Sequence, residues 1–193
     1  MTCDLKLIND NGTYNIYLCS VCKQMQPYKR RPGNIFDSTA MAGLDPTKTA
    51  LLFIEYQNEF ATEGGKLHGS VRYNMETTGM LEKSAELAKQ MRKFGIRIFH
   101  APISFTPDGS DNPNPNLGIL AGCDNDKLFT QGTWNAQICD IMKPQSGDVV
   151  VLGKHGLSAF SNTDLEDQLK SNGIETLVLG GFMTKCCVES TSL

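Results

Sequence analysis

The sequence predicts an α/β fold built around a mostly parallel sheet. Ala50–Ile54 is a continuous apolar run, which is typical of a strand buried on both faces of such a sheet. Met80–Phe94 spaces its apolar residues like an amphipathic helix closed by a glycine, and Ile96–His100 follows as a second short strand. This strand, helix, strand order favours parallel strands joined by a right-handed crossover.

The composition is that of one ordinary domain. The chain has 193 residues, of which 40% are hydrophobic and 20% charged, so it can bury a sizeable core. A net charge of -3 gives no reason to expect a nucleic acid or a membrane as partner. No signal peptide or membrane-spanning run is visible, and seven scattered cysteines favour reduced thiols, so we expect a cytoplasmic protein.

Residues 1–47 form an N-terminal extension of uncertain structure. Cys19 and Cys22 have the spacing of half a zinc or redox site. A closed zinc site needs about four ligands, and only Cys3 and distant histidines could supply the others. A zinc-binding N-terminal module is therefore one hypothesis for this part of the chain.

Polar residues follow the first two strands. Glu55 comes directly after the first strand, and a buried carboxylate there is costly unless it has a partner or a chemical role. Gln57, Asn58 and Glu59 more often bond loop backbone than take part in chemistry. His100 ends the second strand, and we interpret it as a structural or pocket-wall residue because a lone histidine is weak evidence of catalysis.

The middle of the chain adds a loop, a third strand and a second helix. Thr106–Asn116 is rich in proline, glycine and asparagine, which predicts a surface loop that could cover a site. Trp134, the only tryptophan, would ordinarily pack in the core. Asp148–Gly153 is predicted to be a strand that leads into Lys154, and Thr163–Leu169 a short helix.

The last strand leads into a cysteine pair. Thr176–Leu179 is a β-rich apolar run that ends in two glycines. Thr184 can then cap a helix that begins at Lys185, which places Cys186 and Cys187 in its first turn. Free N–H groups there favour negative charge, so the pattern predicts a thiol that ionises easily. The alternative is a buried cysteine that packs as a small apolar residue.

Glu55, Lys154 and Cys187 thus follow three different strands. Since the carboxyl ends of parallel strands lie along one edge of a sheet, we expect these three side chains to meet there. A lysine beside a carboxylate and a thiol favours the charged form of each, and the carboxylate can accept the proton of the thiol. The pattern predicts a nucleophilic cysteine with its base.

Four segments carry a resemblance to a known family. In chain order they are Leu52–Phe60, Gly132–Ile138, Lys154–Phe160 and Gly181–Val188. Through them, the chain from Thr49 onward resembles the isochorismatase-like cysteine hydrolase superfamily, which includes nicotinamidases and N-carbamoylsarcosine amidases. The resemblance implies a Rossmann-like three-layer α/β/α domain over residues 48–193. It also implies that the C-terminal part of the family fold is missing, so that the last strand is an exposed edge.

The resemblance also implies a set of site residues. Cys187 stands at the position of the nucleophile, Lys154 at that of the lysine, and Glu55 at that of an aspartate. Cys186 would be a bystander. A cis bond between Phe182 and Met183 would aim the N–H groups of Met183 and Cys187 at one point, as an oxyanion hole. Three apolar residues are candidate walls of the substrate pocket: Phe60, Trp134 and Phe160.

The activity implied is hydrolysis of a C–N bond in a small amide or ureide through a thioester. No cofactor is expected, and the absence of an Asp-x-His pair predicts no catalytic metal and disfavours nicotinamide as substrate. We expect a small-molecule substrate and a homo-oligomer. Two alternatives stay open: a truncated, catalytically impaired member that acts as an interaction protein, and ether hydrolysis of the isochorismatase type, against which the cysteine argues.

Overall fold

The computed structural model describes residues 5–10, 14–19 and 44–192. Within them, six strands form one sheet with the spatial order first, second, sixth, third, fourth, fifth. The first two strands are antiparallel and all the other pairs are parallel, so the predicted α/β class with a mostly parallel sheet is confirmed. The strands are β1 (Leu5–Asp10), β2 (Asn15–Cys19), β3 (Thr49–Ile54), β4 (Arg97–Ala101), β5 (Val149–Val150) and β6 (Thr176–Gly181).

Helices flank the sheet in the described part of the chain. Their bounds are α1 (Asn58–Ala61), α2 (His68–Thr78), α3 (Met80–Lys93), α4 (Gly118–Asn125), α5 (Leu165–Ser171) and α6 (Glu189–Ser192), with a π-helical turn at Thr184–Val188. None of the described helices is long and apolar enough to cross a membrane.

The central strand β3 explains why the sheet forms. All six of its residues are buried, and the five apolar ones, Ala50–Ile54, alternate between two apolar clusters on opposite faces of the sheet. Leu51 and Phe53 belong to the cluster under α2 and α3, whereas Leu52 and Ile54 belong to the cluster under α5. The apolar run is continuous because both faces of the strand are buried, as the sequence predicted.

The crossover between β3 and β4 follows the expected pattern. Helix α3 begins at Met80 and ends at Lys93, and Gly95 follows with a φ of 79°, a left-handed conformation that glycine adopts without steric cost. The apolar face of α3 packs on the sheet through Leu87, Ala88 and Met91. The helix predicted over Met80–Phe94 is thus confirmed.

Strand β5 is much shorter than the predicted strand Asp148–Gly153. Only Val149 and Val150 pair with β4. Beyond Val151 the backbone leaves the sheet, because Leu152 exchanges hydrogen bonds with Asp164 at the start of α5, from the Leu152 N–H to Asp164 Oδ1 at 2.7 Å and from the Asp164 N–H to the Leu152 carbonyl at 3.2 Å. A partner outside the sheet therefore ends the strand.

The expectation of an exposed strand at Thr176 is wrong. Strand β6 lies between β3 and β2, and it pairs in parallel with both. The second partner comes from residues 1–47, so this stretch contributes two strands to the same sheet. Cys3 and Cys22 lie outside the described residues, so the zinc hypothesis stays a prediction.

His100 and Asp148 form a buried polar network at the amino-terminal end of β5. His100 Nε2 lies 3.2 Å from Asp148 Oδ2, and Arg92 donates to both carboxylate oxygens of Asp148, at 3.0 and 2.5 Å. Burial alone would raise the pKa of Asp148, but hydrogen bonds from His100 and Arg92 outweigh it and hold the pKa well below the ordinary value of 3.8. His100 therefore has a structural role.

We expect Asp148→Asn to lower the free energy of unfolding by about 2–3 kcal/mol at pH 7, because it breaks a buried charged network. The lowered pKa means that this stabilisation is present above about pH 4 and is lost as pH falls further. Urea denaturation of both proteins at pH 7, 5 and 3.5 measures the difference. A gap between wild type and variant that widens as pH falls would contradict the assignment.

Candidate active site

Glu55 leaves β3 in an unusual backbone conformation. Its φ is 59°, in the left-handed region that a residue with a side chain adopts at a cost of roughly 1–2 kcal/mol. Its N–H donates to the Ala101 carbonyl at 3.1 Å, which fixes this turn at the end of β4. The side chain is buried. Local strain at a buried carboxylate is typical of a functional position.

The two glycines at the end of β6 let the next segment approach Glu55. A side chain at Gly181 would place its Cβ 2.2 Å from the Ile54 carbonyl oxygen, so only glycine fits there. The Phe182 N–H then donates to that same oxygen at 3.1 Å. The segment that carries Cys187 is thereby held beside the end of β3. The Phe182–Met183 bond is cis, as the resemblance implies.

The helix that carries Cys187 differs from the prediction. Met183, and not Thr184, is the residue before the helix, and no side chain caps it. Thr184–Val188 is a π-helical turn, a form that often occurs at functional sites, and α6 continues from it. Cys187 is buried inside this turn, while Cys186 is only partly buried.

Lys154 is the third side chain at this edge of the sheet, and it is almost fully buried. Its Nζ donates to Glu55 Oε1 at 2.5 Å and to the Gly156 carbonyl at 2.7 Å. Two buried charges are stable only when they are paired and hydrogen-bonded in this way. The ion pair therefore fixes the position of the Glu55 carboxylate.

The Cys187 thiol lies close enough to the Glu55 carboxylate for that charge to act on it. Burial, followed by the negative charge of Glu55, raises the pKa of this thiol above its ordinary value, and the nearby Lys154 lowers it only in part. The prediction of an easily ionised thiol is therefore wrong for this state of the site, because burial outweighs the helix terminus. The arrangement is a protonated thiol beside a carboxylate that can accept its proton.

The structure thus brings Glu55, Lys154 and Cys187 together at the carboxyl edge of the sheet. Their catalytic roles, and the oxyanion hole of the Met183 and Cys187 N–H groups, remain predictions. Chemically, the arrangement can transfer a proton from sulfur to a carboxylate when the sulfur attacks an electrophilic carbon.

The three candidate pocket residues occupy different surroundings. Phe60 is buried and stacks on Phe182, with the ring centroids 5.1 Å apart, on the face of the sheet covered by α2 and α3. Trp134 is half exposed and packs over Gly64, so it is not a core residue. Phe160 lies against the cluster on the opposite face, where it stacks on Tyr14, and the structure does not bring it together with Phe60.

The residues after Glu55 anchor the loops around the site, as the sequence predicted. Gln57 Nε2 donates to the carbonyls of Ile103 and Ala136, both at 2.7 Å, and its Oε1 accepts from the Ile103 N–H. Asn58 Nδ2 donates to the Trp134 carbonyl at 2.9 Å. Two distant loops are therefore held by one short segment.

Sequence reasoning missed the contact that holds the predicted loop Thr106–Asn116. His155 Nδ1 lies 2.6 Å from the Ser104 carbonyl and 3.2 Å from Asp111 Oδ2. Because His155 follows Lys154 directly, this contact ties the loop to the residue next to the ion pair. The signal in the sequence is only a histidine beside the lysine, which alone is weak evidence.

Metal binding at this site remains untested. The described residues contain no group of three or more histidine, cysteine, aspartate or glutamate side chains that could hold a metal ion. The expectation that the reaction needs no metal rests on the missing Asp-x-His pair and stays a prediction.

Comparison with known proteins identifies a family. The sequence model of the isochorismatase domain matches residues 49–193. The ureidoacrylate amidohydrolase RutB of Methylorubrum extorquens is 34% identical over 159 residues, which cover 76% of this chain and 63% of that protein. RutB of Pantoea ananatis is 28% identical over 197 residues, which cover 90% and 76%. The chain thus spans less than two thirds of the length of the Methylorubrum relative.

Solved structures share the fold. The N-carbamoylsarcosine amidase of Thermoplasma acidophilum superposes with a TM-score of 0.60 at 25% identity, over 75% of this chain and 73% of that one. The nicotinamidase/pyrazinamidase PncA of Bacillus subtilis gives a TM-score of 0.59 at 26% identity, over 75% and 76%. The α/β fold is therefore that of these hydrolases.

The raised pKa of Cys187 gives a direct test of the site. We expect no thiolate absorbance at 240 nm from Cys187 at pH 7.5, because burial and the Glu55 charge keep the proton on sulfur. The spectrum of wild type minus that of Cys187→Ala isolates this thiol from the other six cysteines, and the signal should appear only above about pH 9. A titration step below pH 8 would show that the thiol is already activated without substrate.

Proposed function

The chain belongs to the isochorismatase-like cysteine hydrolase superfamily, and from this membership we propose that it hydrolyses a carbon–nitrogen bond of a small amide or ureide. The observation that carries the proposal is a buried thiol beside a carboxylate that is itself paired with a buried lysine. The names of the similar proteins, an amidohydrolase of ureidoacrylate and an amidase of N-carbamoylsarcosine, support this substrate class.

The first step is attack on the carbonyl carbon. Glu55 takes the proton of Cys187 while the sulfur forms a bond to the carbonyl carbon of the substrate. The carbonyl oxygen becomes negatively charged, and the backbone N–H groups of Met183 and Cys187 stabilise it. Since the thiol is protonated at rest, this transfer is coupled to attack and does not precede it.

The second step releases the amine and the third restores the enzyme. The tetrahedral intermediate collapses, the C–N bond breaks, and Glu55 gives its proton to the departing amine or ammonia. The acyl group remains on Cys187 as a thioester. Glu55 then takes a proton from a water molecule, whose oxygen attacks the thioester, and returns that proton to the sulfur as the acid product leaves.

Lys154 holds the carboxylate through this cycle. Its Nζ contacts Glu55 Oε1 at 2.5 Å, and its bond to the Gly156 carbonyl keeps the ammonium from turning away. Its positive charge also stabilises the thiolate as it forms.

We also propose that the protein is a cytoplasmic homo-oligomer. Val150 is exposed on β5, the strand at the outer edge of the described sheet, and Leu152 is exposed just beyond it, so a second copy would remove apolar surface from water there. Light scattering on the purified chain tests this part of the proposal.

We expect Cys187→Ala to abolish turnover of small amides and ureides, with a loss of at least about 10³-fold in kcat, because the nucleophile is removed. Cys186→Ala is the matched control, since it removes the neighbouring thiol and should keep kcat within about threefold of wild type. Steady-state release of ammonia from a panel of amides and ureides measures both. Equal activity of wild type and Cys187→Ala would exclude cysteine catalysis.

Glu55→Asp tests whether the carboxylate must stand where it does. Aspartate is the residue that the resemblance implies at this position. Its shorter side chain moves the carboxylate about an ångström away from Lys154 and Cys187, and such a displacement can lower the rate about 10²-fold. We expect kcat to fall by that order while the protein stays folded by circular dichroism. Unchanged kcat would show that the backbone adapts to the shorter side chain.

A further inference from the structure

Glu59 is a second fully buried carboxylate close to the site, four residues after Glu55, and the mechanism does not use it. Its Oε1 accepts from the Lys66 N–H at 2.6 Å and from Asn135 Nδ2 at 3.0 Å, and its Oε2 accepts from the Phe129 N–H at 3.2 Å. A buried charge of this kind persists only when its oxygens are well supplied with donors. One side chain therefore binds three separate segments of the chain.

One of these segments is held in a costly conformation. Phe129 has a φ of 51°, in the left-handed region that is unfavourable for a large side chain. Its ring packs on Phe60 with 5.4 Å between centroids, and Phe60 stacks on Phe182. Phe182 is the residue directly before Met183. The hydrogen bond from Phe129 to Glu59 thus fixes the outer member of an aromatic stack that ends at the nucleophile segment.

The Lys66 segment reinforces the same connection. The Leu67 N–H donates to the Glu59 carbonyl at 3.1 Å, and Lys66 Nζ donates to the carbonyls of Asp126 and Lys127 at 2.5 and 3.3 Å. A side chain at Gly65 would collide with the Glu59 carbonyl oxygen at 2.4 Å, which shows how closely this loop is packed on α1.

The charges of Glu59 and Glu55 both affect the pKa of one buried thiol, that of Cys123. Burial raises the pKa of Cys123 on α4 to about 11; the charges of Glu55 and Glu59 raise it further, whereas that of Lys154 lowers it.

We propose that Glu59 is a positioning residue that sets substrate affinity by holding the aromatic stack and the loop that carries Trp134 and Asn135 against the site. The proposal rests on the proposed hydrolysis of amides. It assigns to Glu59 an effect on KM, in contrast to Glu55, whose loss affects kcat. The loop and the stack contact Glu59 directly, whereas the sulfur and the ion pair do not.

Glu59→Gln is a sharp test because it changes one contact. The amide oxygen can keep the two donors of Lys66 and Asn135, which leaves its NH₂ group facing the Phe129 N–H, so only the bond to Phe129 is lost. We expect KM for the best amide substrate to rise about tenfold while kcat stays within about threefold. Trp134, the only tryptophan, lies next to Asn135, and we expect its acrylamide quenching constant to rise at least about twofold.

Asp148→Asn is the matched control, because Asp148 is also a buried carboxylate with donors from three residues but lies at the amino-terminal end of β5. It should lose stability as Glu59→Gln does, with KM and Trp134 quenching as in wild type. Should Glu59→Gln prove insoluble, Asn135→Ala removes one donor at a half-buried position and should change KM and quenching in the same direction.

The outcomes separate the two proposals. If wild type hydrolyses no amide or ureide, the proposed function fails, and Trp134 quenching alone decides on Glu59. If Glu59→Gln loses stability but keeps the KM and the quenching of wild type, Glu59 is only structural and the proposal is overturned. A fall in kcat at constant KM would overturn it as well, since that would place Glu59 in the chemical step.

Discussion

The ion pair between Lys154 and Glu55 is the interaction on which the site depends. Each partner is buried, and neither charge would be tolerated there alone, since breaking such a pair costs about 3–5 kcal/mol. The pairing therefore fixes the carboxylate before any substrate arrives. Because the Cys187 thiol lies beside that same carboxylate, the sulfur, the acid and the amine form one unit, in which the charge of Glu55 raises the pKa of the thiol and that of Lys154 lowers it.

The sheet makes this unit possible at low structural cost. Parallel strands end at one edge, and the left-handed turn at Glu55 and the glycine at position 181 convert two of those ends into a close approach. The surrounding loops then lie where Gln57, Asn58 and Glu59 hold them, so a single segment after β3 supplies both the carboxylate proposed to react and the side chains that hold the neighbouring loops. The carboxylate proposed to react and the residues that hold the loops are therefore adjacent in the sequence.

The sequence predicted the parts that depend on local patterns. The buried strand at Ala50–Ile54, the helix from Met80 and the meeting of three strand ends follow from periodicity and topology. It did not predict the protonated state of Cys187, because burial by distant side chains outweighs the local helix terminus. The sequence also did not predict that β2 pairs with β6. A short strand in a segment without a clear pattern gives no indication of which strand it pairs with. The sequence also did not predict the stack of Phe129, Phe60 and Phe182, because these rings come from three separate segments of the chain.

The position of β6 has a consequence for how the chain is made. It is the last of the six described strands to be synthesised, yet it inserts between β2 and β3, which are the second and third to leave the ribosome. Until β6 is synthesised, the facing edges of β2 and β3 have no neighbouring strand. Their backbone N–H and C=O groups on those edges therefore have no strand partner while most of the chain is made. During translation the sheet therefore has a central gap, which makes this interval the one in which a chaperone would contribute most.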